Sequence, residues 1–98
     1  MRHRLFSSDQ VINALERAGF ELKRTRGSHA ALIRQKSDAS HAVVIVPLGK
    51  SAIPRGTFRS ILAQAELEYE EFLTLAEINE KGFKKRLPKW LLGALVWG

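Results

Sequence analysis

Cysteine is absent from the 98 residues, which removes disulfides and thiolate metal sites and leaves the cytoplasm as the default compartment. Only Leu5 and Phe6 follow Arg2, His3 and Arg4 before polar residues resume, so no signal peptide is expected. Long apolar runs are missing too. The stretch Trp90 to Trp97 is eight residues long, far short of the roughly 20 that cross a bilayer, so no membrane span is expected. No segment repeats and none is of low complexity. Acidic residues are absent from residues 81–98, and basic ones from residues 66–80.

That last asymmetry leads to what is present. Residues 1–65 hold 11 Lys and Arg against 4 Asp and Glu, a balance of +7, within a chain of net charge +6. Six glutamates lie between Glu66 and Glu80, and five bases follow from Lys81 onward. The body is the basic part, which fits either solubility or a polyanionic partner such as RNA. A chain of this length builds one domain around a single modest core.

Ser7-Ser8-Asp9-Gln10 has the form of a capping box, with Phe6 and Val11 at the two positions of a hydrophobic staple. Val11, Ile12, Leu15 and Ala18 follow at helical spacing, and Gly19 provides a left-handed stop, predicting a helix over 8–18. Phe20 to Thr25 alternates apolar with polar, as a half-buried strand does. Arg26-Gly27 reads as a tight connection into a second strand, Ala30 to Arg34. After a polar loop, His41 to Pro47 contains the β-branched run Val43-Val44-Ile45-Val46. That run is apolar on both faces, so both faces are expected to be covered. Helices 1 and 2 cover one; the other calls for a partner, a second copy or the C-terminal tail. Pro54 suits the first turn of a second helix bearing Phe58, Ile61, Leu62 and Ala65, and a third helix is predicted over about 68–78. The expected fold is α+β: an α-β-β-β-α order with a three-stranded antiparallel sheet, helices on one face, then a short C-terminal helix and tail. The division expected is an RNA-acting domain over 1–78 and a basic, apolar extension over 79–98.

Several segments together resemble the HicA (YcfA-like) toxins. They are Gly19-Phe20 after a capped helix, Gly27-Ser28-His29 entering a strand, Val46-Pro47 ending the third strand, and Gly56-Thr57-Phe58-Arg59-Ser60-Ile61-Leu62. Ala65, Leu67 and Glu70-Glu71-Phe72-Leu73 continue the pattern, which spans about residues 7–75. The resemblance implies a double-stranded-RNA-binding-like fold used as an mRNA interferase. It further implies cleavage of mRNA without ribosome or metal, no cofactor, a functional histidine at His29, and a HicB-type antitoxin as partner. The chain departs from that pattern in four places. Ala30 stands where many members carry a second histidine or an aromatic residue, and Leu48-Gly49 where many carry histidine. Glu66 replaces a frequent glycine, and residues 79–98 have no counterpart in the compact members.

Cleaving RNA without a metal needs one group to take the 2′-OH proton and one to protonate the leaving 5′-oxygen, and histidine serves either role near neutrality. Gly27 lets a phosphate approach the backbone, Ser28 can donate to it, and Lys23, Arg24 and Arg26 supply positive charge. A hydrogen-bonded histidine at a strand edge is the alternative for His29. Lys50, Arg55 and Arg59 either extend the phosphate surface along helix 2 or form a solvated face. His41 is either a second acid–base group across the sheet from His29 or a surface residue. Two histidines and Asp38 match no familiar metal-ligand spacing, so no metal is expected. A non-catalytic RNA- or protein-binding module on the same fold, a degenerate toxin, is the competing function. The tail, Lys84-Lys85-Arg86 and then Trp90 to Trp97, is expected to be buried against the second sheet face, the antitoxin or a membrane surface.

Overall fold

The computed structural model describes residues 4–81, with side chains as far as Glu77. The elements are α1 (Ser8–Arg17), β1 (Glu21–Arg26), β2 (His29–Gln35), β3 (His41–Pro47), α2 (Arg55–Ala65) and α3 (Tyr69–Lys81). The strands form one antiparallel sheet in the order β1-β2-β3. This is the expected α-β-β-β-α order with a third helix, which begins at Tyr69 and continues to Lys81. His3 and the tail of residues 82–98 lie outside the described residues.

Helix α1 starts where the capping box requires. The Gln10 N–H donates to Ser7 Oγ at 3.1 Å, and the Ser7 N–H donates to Gln10 Oε1 at 2.8 Å. It stops in a Schellman turn at Gly19 (φ +99°), with Gly19 N–H to Glu16 O and Phe20 N–H to Leu15 O, both 3.0 Å. Arg34 from β2 adds a cation at this negative helix end, donating to Ala18 O at 3.1 Å while its guanidinium lies 4.9 Å from the Phe20 ring centre. That contact joins α1 to the sheet.

One sheet face carries Ala30 and Leu32 of β2 and Ala42, Val44 and Val46 of β3, all buried in a core with Val11, Leu15, Ile61 and Leu75. Each large side chain buried this way contributes about 1.5–3 kcal/mol. Phe6, Phe58 and Phe72 meet at ring-centre distances of 4.9 to 5.5 Å, clamping the N-terminal segment, α2 and α3 together.

The other face is left open by the described residues. Val43 and Ile45 are 46% and 42% exposed, so the apolar run of β3 is covered on one side only among the described residues. β1 differs from the half-buried strand expected: every residue of Glu21–Arg26 is exposed, and only Phe20, just before it, is buried. Two causes combine. β1 is the edge strand away from α2, which lies along β3, so even Leu22, opposite buried Leu32, stays exposed. A bulge at Lys23, between the Leu22–Leu32 and Arg24–Ala31 pairs, then breaks the alternation.

Candidate active site

The segment Arg26 to His29 closes a two-residue hairpin, since Arg26 pairs with His29. Gly27 has φ +57° at the first loop position and Ser28 has no positive φ, the pattern of a type II′ turn, which wants glycine first. A Cβ on Gly27 would meet nothing within 4 Å, so the space over the turn is open as well. Strand alternation then sets the orientation of the histidine. Ala30 points into the core, so His29 points to the open face and is exposed. Its Nδ1 lies 3.5 Å from Ser28 Oγ, the long limit of a hydrogen bond.

The bulge at Lys23 decides which basic residues join it. Without it, alternation from Phe20 and Leu22 would turn Arg24 and Arg26 toward the core. With one extra residue inserted, Arg24 lies opposite Ala31 and Arg26 opposite His29, on the open face. Directly opposed residues have Cβ atoms about 4.5–5.5 Å apart, which puts Arg26 beside the imidazole.

On its other side His29 borders an open cleft between β3 and α2, lined also by Ile45, Pro47, Lys50, Thr57, Ser60 and Gln64. Lys50 is held there by Ser8, a buried polar residue in the first turn of α1. Ser8 Oγ donates to Pro47 O at 2.6 Å and accepts from the Lys50 N–H at 2.9 Å, while the Ser8 N–H donates to Lys50 O at 2.9 Å. Leu48 N–H to Ser28 O, 2.7 Å, ties the same loop to the hairpin. The far wall is fixed by Gln64, whose Oε1 accepts the outward N–H of Ile45 at 2.9 Å and whose amide donates to Ser60 Oγ at 3.2 Å. Pro47 has no N–H to offer, so this end of the β3 edge is closed to further strand pairing.

A family model described as the HicA toxin of bacterial toxin–antitoxin systems matches residues 8–67, more than half of the chain. The chain belongs to the HicA toxin family. It is therefore a toxin of a toxin–antitoxin system, and that class implies an antitoxin partner. No curated protein matches it. The HicA match runs from the buried Ser8 through α2 to Leu67, and so takes in the hairpin, the loop and both walls of the cleft.

The expected HicA site residues divide in this structure. Gly27, Ser28, His29, Arg24, Arg26 and Lys50 share one end of the open face or its cleft. Lys23 does not: it is ion-paired to Glu21 at 2.8 Å and lines a second cleft at the opposite end of the sheet, near His41. That lysine also holds the Glu21 carboxyl below its usual range. Arg55 and Arg59 are exposed on α2 but line neither cleft. His41 pairs with Gln35 at one end of the ladder, and His29 pairs with Pro47 at the other. Six residues at about 3.3 Å put the two histidines roughly 20 Å apart, so His41 is no acid–base partner for His29. Sequence reasoning passed over Ser8, Thr57, Ser60 and Gln64. The signal available for the last three was their spacing, which sets them on one stripe of a helix. Among the described residues no cluster of three or more His, Asp or Glu could hold a metal, and no helix is long and apolar enough to cross a membrane.

Proposed function

We propose that this HicA-family toxin is an endoribonuclease, an mRNA interferase, with His29 as its acid–base residue and a HicB-type antitoxin as its inhibitor. The observation that carries the reading is the setting of His29. It is exposed at the head of a cleft, with Arg26 opposite it on one side and Lys50 on the other. With Nδ1–H donated to Ser28 Oγ, the Nε2 lone pair is left for substrate. It takes the proton of an RNA 2′-OH, O2′ attacks the adjacent phosphorus, and the P–O5′ bond breaks to leave a 2′,3′-cyclic phosphate. Arg26 and Lys50 stabilise the extra charge of the transition state. The leaving 5′-oxygen needs a proton. Of these two cations only Lys50 can release one, since a guanidinium stays charged.

General acid–base groups contribute about 10²–10⁴-fold, so His29→Ala should lower mRNA cleavage by that factor and relieve growth arrest on induction. Equal arrest by wild type and variant would remove His29 from the chemistry. A second reading, a non-catalytic RNA-binding module, is favoured by the distance of His41 from His29. It predicts salt-sensitive RNA binding that survives His29→Ala and no cyclic phosphate ends at any pH.

A further inference from the structure

The two flanks of His29 differ in chemistry. Toward β1 they are cationic, with Arg26 opposite His29 and Arg24 one pair further along the same face. Toward α2, beyond Lys50 at its mouth, the cleft offers uncharged donors and acceptors, Thr57, Ser60 and Gln64, between apolar walls that include Ile45. Cations hold phosphates, whereas hydroxyls and amides between apolar surfaces suit the edge and faces of a base. Two of these groups are already oriented. The Gln64 carbonyl is committed to the Ile45 N–H and its amide donates to Ser60 Oγ, which leaves the Ser60 hydroxyl proton free to donate outward.

Building on the ribonuclease reading, we propose that the β3–α2 cleft receives one nucleobase of single-stranded RNA next to the scissile phosphate. Ser60 and Thr57 read its edge while the phosphates run along Arg24 and Arg26. Base selectivity then originates in the cleft and general affinity in the hairpin. A duplex is refused, because a stacked and paired base cannot enter.

The test measures binding in a His29→Ala background, so that the RNA survives, using labelled short oligo(A), oligo(C) and oligo(U) and a duplex. Single strands should bind more tightly than the duplex, and the best base should exceed the worst by about tenfold, the effect of one or two hydrogen bonds. Thr57→Val with Ser60→Ala should shrink that spread to under about threefold, whereas Ser60→Thr, which keeps the hydroxyl, should preserve it. Arg24→Ala should weaken all three strands alike and lower the salt slope by about one. Equal affinity for all bases, equal affinity for the duplex, or a uniform loss in the double variant would overturn the proposal. Base-blind binding sinks only this inference, and absence of RNA binding sinks the ribonuclease reading with it.

Discussion

Ser8→Ala removes one oxygen atom and should damage both stability and cleft. Ser8 is 2% exposed, and its hydroxyl donates to Pro47 O and accepts from the Lys50 N–H, so its loss leaves a half-buried acceptor and donor without that partner. At about 1–3 kcal/mol for each unsatisfied group, tempered by water reaching the loop, the expected cost is about 2–3 kcal/mol. For a domain of this size that is a fall in Tm of roughly 10–20 °C. Ser7→Ala is the matched control. It removes the cap acceptor for the Gln10 N–H, costs about 1 kcal/mol, and leaves the loop of Pro47 to Lys50 untouched. Urea denaturation followed by far-UV circular dichroism compares the two, and an unchanged m-value keeps the comparison on stability. Ser8→Ala should also slow RNA cleavage in conditions where the protein is fully folded, because Lys50 loses its tether, whereas Ser7→Ala should not. A cost for Ser8→Ala no larger than for Ser7→Ala would refute the assignment of Ser8 as the residue that holds the loop.

Two further outcomes are expected. Glu66 occupies the left-handed position that ends α2 (φ +61°), with Leu67 N–H to Leu62 O and Glu66 N–H to Ala63 O completing a Schellman turn. Glu66→Gly and Glu66→Ala both lose the Lys36 contact, but only glycine relieves the backbone, so the glycine variant should be about 1 kcal/mol more stable than the alanine one in the same urea titration. Asp38 accepts from the backbone and hydroxyl of Ser40, which hold its carboxyl below the usual range. A depressed folded pKa means the contribution is complete above the unfolded value near 4 and is lost as pH falls through the folded one. Amide protection in the β2–β3 turn should therefore drop as pH falls below about 4, and Asp38→Asn should remove that pH dependence.

The elements were legible in the sequence because their signals are local. Ser7, Gln10 and Gly19 mark the ends of α1 through hydrogen bonds that close within a few residues, and the alternation of β2 and β3 follows from period two. The layout of the site was less legible because it depends on a register. Nothing in Glu21 to Arg26 announces that Lys23 is an extra residue, yet that insertion turns Arg24 and Arg26 from the core face to the face of His29. The choice between the two readings of His41 depended on register as well, and the surface residue is the one the structure bears out. Sequence shows that it opens a strand, but only the antiparallel pairing of β2 with β3 shows that it sits at the wrong end. Ser8 was hidden because its partners, Pro47 and Lys50, are about 40 residues away in the chain.

Pairing geometry also changes the meaning of two departures from the family pattern. Ala30 follows the candidate catalytic histidine directly, but adjacent strand residues point to opposite faces, and Ala30 is 1% exposed inside the core. A histidine there would not reach a phosphate held by His29; it would displace core atoms instead, at a cost of about 1–3 kcal/mol for overpacking. Leu48 likewise packs partly buried against the core while its N–H bonds to Ser28 O. Both positions are thus occupied by residues that support the hairpin from behind. The hairpin end of the open face keeps one imidazole, two arginines and a lysine, so in the proposed reaction the second proton donor for the leaving oxygen comes from the cleft side, where Lys50 is anchored by Ser8.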